Sequence, residues 1–161
     1  MEKLVIRHAE RKDARLMHEL ILGLATYERR PQDVTGSIEN LLYWVFDRRI
    51  CTFLIAELDG EAAGYAIYYP VFGSFSARGM VHLEDIFLYE RFRGRGLGRA
   101  FMAEVCRSVL EQGYSGMEWS SLDWNRPSID FYLHLGAEME TGRVYLGFDE
   151  EQLKKVASEI G

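Results

Sequence analysis

Apolar residues change their spacing several times along the chain, and each change predicts an element. Near the start, "KLVIRHA" is a short apolar run and reads as a strand. In "DARLMHELILGLATYE", Leu16, Leu20, Leu24 and Tyr27 recur near helical spacing, with Asp13 placed as an N-cap. "RRPQDVTGS" breaks that pattern. "SIENLLYWVFD" predicts a second helix, in which Ser37 and Asn40 form an imperfect capping box. "ICTFLIAEL" and "EAAGYAIYYPVF" flank Asp59–Gly60, a hairpin signature. "GMVHLEDIFLY" predicts another strand, and "GRAFMAEVCRSVLEQG" a helix ending at Gly113. "GMEWSSL" reads as a strand. "PSIDFYLHLG" reads as a helix with Pro127 near its first position and Gly136 at its end. "RVYLGF" predicts a late strand, and "DEEQLKKVASEI" a terminal helix.

The resulting order, β-α-α-β-β-β-α-β-α-β-α, predicts a mixed α/β sheet with helices covering both faces. It lacks the strict alternation of a doubly wound sheet. No repeat, low-complexity tract or linker interrupts it, so the 161 residues are expected to form a single domain over 1–161.

Composition narrows the chemistry. The formal charge is 19 − 25 = −6, which disfavours a general nucleic-acid binder and suits a cationic small molecule. Lysine occurs only at Lys3, Lys12, Lys154 and Lys155, so no mid-chain lysine is available for a phosphate loop or a Schiff base. Cys51 and Cys106 both sit in apolar-periodic segments and read as buried, reduced thiols. His8, His18, His82 and His134 show no metal-ligand spacing, so no metal is expected. No run approaches the roughly 20 apolar residues of a membrane span. "MEKLVIRHAE" lacks the apolar stretch of a secretory signal, so a cytoplasmic location is expected, without membrane partners.

Three stretches carry candidate chemistry. "RFRGRGLGRAF", from Arg91 to Phe101, concentrates glycine and arginine between a strand and a helix. Glycine lets a main chain approach an anion closely, and a helix N-terminus offers free amides to it. The stretch contains neither a triphosphate P-loop nor a dinucleotide fingerprint, but it does contain R-x-x-G-x-G at Arg93, Gly96 and Gly98. Taken alone, the pattern also fits a glycine-rich turn with solvated arginines. The preceding strand, "VHLEDIFLY", carries Glu84 and Asp85 within an apolar run, where a carboxylate is costly unless paired or used. By period two, His82, Glu84, Ile86 and Leu88 share one face, and Leu83, Asp85, Phe87 and Tyr89 the other. In "WNRPSIDFYLHLGA", Asn125 precedes the helix and Tyr132 lies one turn in, where a phenol can donate a proton.

With these motifs in this order, the chain resembles the GNAT-superfamily N-acetyltransferases, which use acetyl-coenzyme A, along nearly its whole length. "LATYE" and "YYPVFGSFSARGMVHLEDIFL" resemble the diamine (spermidine/spermine) N-acetyltransferase branch. The resemblance implies a mostly antiparallel central sheet flanked by helices on both faces, and a homodimer. It implies that the main chain of Ile86, Phe87 and Leu88 pairs with the pantetheine arm. It places the pyrophosphate on Arg93, Gly94, Arg95, Gly96, Leu97, Gly98 and Arg99. Asn125, Arg126, Pro127 and Ser128 would also contact the coenzyme. The family's catalytic tyrosine falls on Tyr132, as acid to the departing thiolate.

On the acceptor side the resemblance implies Tyr27 and Glu28, together with Glu118, Trp119 and Ser120. Glu84 is the candidate base, because an alkylamine is mostly protonated at pH 7 and must lose a proton before attack. Its carboxylate would also anchor the cation. The loop "EMETGRV" is short, with Glu138 and Glu140 standing where polyamine enzymes carry acidic residues, and "FDRRICTFL" is shorter too. Thialysine-like amino acids and other small primary amines therefore stay open as acceptors. So do a non-catalytic acyl-CoA sensor and a peptide N-acetyltransferase.

Overall fold

The computed structural model describes residues 2–159. They group into two compact units, Met1–Ser120 and Ser121–Gly161. In the first, β1 (Leu4–His8), β2 (Thr52–Leu58), β3 (Glu61–Gly73), β4 (Arg78–Leu88) and β5 (Met117–Glu118) form one sheet in that spatial order. The first four strands are antiparallel to their neighbours, and β5 runs parallel to β4. The sheet is therefore mixed and mostly antiparallel, as expected. The β2–β3 hairpin turns at Asp59 and Gly60 with φ of 51° and 85°, the left-handed pair its tight turn requires.

Helices cover both faces of this sheet. On one face, α1 (Ala14–Tyr27) lays Met17 and Leu20 on Phe53, Ile55, Tyr65 and Phe87. On the other, α3 (Leu97–Glu111) buries Phe101, Met102, Val105 and Val109, and its Ser108 shares a 2.7 Å hydrogen bond with Tyr68. Tyr65 and Tyr68 thus belong to opposite faces of β3. At Gly64, strand approach sets the residue: a Cβ there would lie 2.0 Å from the carbonyl oxygen of Phe87.

Several expectations change. The Asp13 carboxylate does not cap α1. It takes a bidentate pair from Arg7 at 2.7 and 3.0 Å and a 2.8 Å bond from the Glu10 amide. Arg7 also donates to Glu57 at 2.9 Å, which ties β1, β2 and the start of α1 together. The predicted second helix keeps one α-turn, α2 (Ile38–Leu41), capped by Ser37 through a 3.1 Å bond from the Asn40 amide. Leu42–Asp47 then widens into a π-helix, with the Arg48 amide on the Tyr43 carbonyl. Leu41, Val45 and Phe46 pack on the core, and the wider turn leaves Tyr43 and Trp44 exposed. The strand predicted over "GMEWSSL" shrinks to the two residues of β5.

In the second unit, α4 (Arg126–His134) has Pro127 in its first turn and is followed by Gly136 at φ 94°. In α5 (Glu150–Ser158), Asp149 caps the Gln152 amide at 2.8 Å. The predicted end of that helix at Ile160 lies outside the described residues. The "RVYLGF" run is not a strand. Val144, Tyr145 and Leu146 are exposed, and the segment pairs with no strand among the described residues.

Candidate active site

The site grows from an irregularity in β4. Tyr69 of β3 pairs with His82, Tyr68 with Leu83, and Ile67 with Asp85, so Glu84 is the extra residue of a β-bulge. The bulge overturns the period-two assignment. Tyr65 and Tyr69 lie on the same face of β3; Tyr65 donates to Asp85 Oδ2 at 2.9 Å and Tyr69 to Glu84 Oε2 at 3.1 Å. Glu84 and Asp85, adjacent in sequence, therefore turn to the same side of the sheet. Regular alternation would have put them on opposite faces.

Their surroundings differ. The Glu84 side chain is 52% exposed, with His82 Nε2 3.5 Å from its carboxylate. His82 Nδ1 lies 3.7 Å from Glu118 of β5, so the imidazole sits between two carboxylates. Asp85 is partly buried. Burial, with Glu84 and Glu28 nearby, pushes its carboxyl up to about 6, against the opposing bond from Tyr65. Burial and then Asp85 hold the Tyr65 phenol far above its ordinary range. Burial, then Glu84, lifts Tyr69 to about 12. Glu28, which follows the last turn of α1, is also raised by burial, with Arg30 pulling the other way. The expected acceptor residues Glu28, Glu84 and Glu118 thus join a wider acidic wall. The sequence placed His82 on the face of Glu84 and Asp85 on the other, without a role for either, and did not single out Tyr65. The bulge brings His82 and Glu84 to the side that Asp85 and Tyr65 share.

The glycine loop follows directly. Gly94 and Gly96 both hold φ 76°, and no atom lies within 4 Å of where a Cβ would stand on either. Gly96 is the N-cap of α3, so the first amides of a four-turn helix open beside it. The arginines are largely engaged. Arg91 pairs with Glu61 at 2.7 Å and stacks on Tyr89 and Phe92. Arg95 pairs with Glu2 and donates to the Arg91 carbonyl. Arg93 turns inward: its Nε donates to the Leu88 carbonyl at 2.8 Å and its guanidinium lies 4.4 Å from the Tyr27 ring centroid. Arg99 is exposed, while Leu97 and Gly98 open the helix half-buried. The loop can therefore meet an anion mainly through main-chain amides. This fits a pyrophosphate better than one dependent on four arginine side chains would.

Beyond His82, β4 has no partner on its β5 side among the described residues. The main chain of Ile86 and Phe87 along that edge is where an extended chain can add as a strand. At Leu88 the carbonyl is already taken by Arg93. Trp119 and Ser120 follow β5 directly, Trp119 half-buried and Ser120 exposed.

The second unit carries the remaining expected residues. Asn125 is buried and precedes α4, its carbonyl accepting the Ile129 amide at 3.1 Å. Arg126, Pro127 and Ser128 form the first turn, and Tyr132 stands against Phe131 with ring centroids 5.5 Å apart. Among the described residues no group of three His, Cys, Asp or Glu side chains could hold a metal ion. Nor is any helix long and apolar enough to cross a membrane.

Comparison with known proteins converges on one family. The profile of the acetyltransferase (GNAT) family matches residues 13–137. A thialysine N-epsilon-acetyltransferase of Sus scrofa is 30% identical over 98% of this chain and 99% of its own length. L-ornithine N5-acetyltransferase NATA1 of Arabidopsis thaliana is 33% identical over 50% of this chain and 36% of its own. Among solved structures, an integron cassette protein from the mobile metagenome of V. cholerae superposes with a TM-score of 0.76 at 20% identity, covering 96% of this chain and 97% of its own. The bulged strand, the glycine loop at the head of α3 and the matched profile agree: the chain belongs to the acetyltransferase (GNAT) family and is an acetyl-CoA-dependent N-acetyltransferase.

Proposed function

We propose that the acceptor is a small cationic molecule bearing a primary amine, held by the acidic wall of Glu84, Asp85, Glu28 and Glu118. The observation that carries this reading is the bulge, which turns Glu84 and Asp85 to one side at the start of the free β4 edge. The pantetheine arm of acetyl-CoA would add along Ile86 and Phe87, and its pyrophosphate would sit on the amides from Gly94 to Arg99. An acetyl group drawn along that edge ends near the carboxylates.

The chemistry follows from what an amine needs. Its nitrogen must be neutral to form a bond with the thioester carbonyl carbon. Glu84, more exposed than Asp85, takes the proton directly or through a water. As the C–S bond breaks, the sulfur leaves with the electron pair, and Tyr132 supplies the proton that the family resemblance assigns to it. Asn125, Arg126, Pro127 and Ser128 contribute coenzyme contacts on the same ground, and Tyr27, Trp119 and Ser120 line the acceptor side. A homodimer in the cytoplasm belongs to the same proposal.

Two acceptor classes share this chemistry. Polyamines and diamines present several cationic nitrogens to several carboxylates. The names of the relatives favour instead an amino acid with a side-chain amine, such as thialysine or ornithine. The test is release of free coenzyme A from acetyl-CoA with spermidine, spermine, short diamines, thialysine, ornithine, lysine and a basic peptide. Saturable turnover with one small-amine class is expected and identifies the acceptor. Turnover of the peptide alone, or of nothing while acetyl-CoA still binds, would overturn the small-amine reading.

A further inference from the structure

Tyr65 has no exposed surface, and it stacks on Phe53 with ring centroids 5.2 Å apart. A phenylalanine would fill the same space between Phe53 and Phe87. The hydroxyl is costly at such a position unless it is bonded, and it donates to Asp85 Oδ2 at 2.9 Å. Asp85 shares the face of Phe87, which pairs with Tyr65, and the Glu84 bulge brings Glu84 round to the same side. A buried polar group on β3 and an irregular register on β4 thus meet at one acidic pair.

From this geometry we infer that Tyr65 is a positioning residue for acetyl transfer: from inside the sheet it fixes the Asp85 carboxylate so that Asp85 and Glu84 face the cationic acceptor together. The inference rests on the small-amine reading. A carboxylate with one oxygen tied to Tyr65 cannot rotate freely and keeps its second oxygen for the substrate. The groups around it make that anchor necessary. Glu84 and His82 share its strand, Tyr69 bonds Glu84 from β3, and Glu28 approaches from the end of α1. Burial, with crowding by Glu84 and Glu28, favours protonation of Asp85, and the bond from Tyr65 opposes it. Tyr65 therefore also helps keep Asp85 charged when a cation arrives.

The test compares wild type with Tyr65→Phe, Asp85→Asn and the double variant, using steady-state kinetics across pH with the best acceptor. The Asp85 carboxyl is titrated in parallel by carbon NMR. Tyr65→Phe is expected to raise the acceptor KM about 3- to 10-fold, the range of one ordinary hydrogen bond. The kcat and the KM for acetyl-CoA stay within about twofold. The acid limb of kcat/KM moves to higher pH, as does the Asp85 titration. In the Asp85→Asn background, Tyr65→Phe adds nothing. A folded Tyr65→Phe protein with unchanged acceptor KM and acid limb overturns the inference. An equal effect in the Asp85→Asn background overturns it too, because the loss would then come from packing. If wild type acetylates no amine, the small-amine reading fails by itself. The NMR titration then decides the Tyr65–Asp85 coupling without turnover: a higher midpoint in Tyr65→Phe supports it, and an unchanged one overturns it.

Discussion

Asp85 shows how one side chain can be kept at a cost to the fold. Burial lifts its carboxyl to about 6, from an ordinary value of 3.8. Because the folded state holds the proton more tightly than the unfolded one, stability falls as pH rises through that window. The sign is opposite to that of Asp13, whose carboxyl is held low by Arg7 and whose contribution is lost as pH falls. Asp85→Asn keeps an acceptor for Tyr65 and removes the buried charge. It is expected to stabilise the protein by on the order of 1–3 kcal/mol at pH 7.5. The gain shrinks towards pH 5, and thermal melts at the two pH values measure the difference. An equal gain at both would show that the carboxylate charge carries no penalty. The same variant should lose acceptor binding, the usual exchange of stability for function at a site.

At the scale of elements, the site depends on how closely β3 and β4 approach. Gly64 faces Leu88 across the ladder, and a Cβ there would meet the Phe87 carbonyl oxygen at 2.0 Å. That oxygen is main chain and has no rotamer to escape into, so the strands themselves would have to part. Gly64→Ala is expected to cost about 2–4 kcal/mol by chemical denaturation, within the range of overpacking and backbone strain. It should also weaken acceptor binding, because the bulge lies on the displaced strand. A loss below about 0.5 kcal/mol would mean that β4 moves more easily than its ladder suggests. The opposite case is Gly94, where no atom lies within 4 Å and only the positive φ selects glycine. One glycine is required by space, the other by conformation.

Across the whole molecule, the roles divide along the chain. The acidic wall and the glycine loop are built by residues up to Ser120, and the tyrosine proposed as acid belongs to α4. Removing the acid should therefore leave binding intact. Tyr132→Phe is expected to lower kcat by about 10²–10⁴-fold, the usual worth of a general acid, with the KM for acetyl-CoA unchanged. Stopped-flow turnover together with acetyl-CoA titration separates the two quantities. A kcat within twofold of wild type would remove Tyr132 from the chemistry.

Much of this was present in the sequence because it is local. The Asp59–Gly60 turn, the left-handed glycines of the loop, and Pro127 and Gly136 at the ends of α4 follow from what each backbone allows, whatever packs around them. The order of strands and helices, the acidic pair and the family resemblance were also legible. Pairing and packing decided the rest. Strict alternation put Glu84 and Asp85 on opposite faces, but register is a property of two strands, and the bulge exists only where β4 meets β3. The apolar run "RVYLGF" has strand character but pairs with no strand among the described residues. The second helix widened into a π-turn where its apolar side chains met the core. Asp13 stands at the predicted N-cap of α1, but its carboxylate turns to Arg7 of a neighbouring strand. Where the chain turns, where glycines open the head of α3 and which enzyme family this is could be read without the fold, because short-range sterics and motif spacing are written residue by residue. The tertiary structure alone decided which carboxylates share a face and which tyrosine holds one of them, because those contacts join residues brought together only by strand pairing.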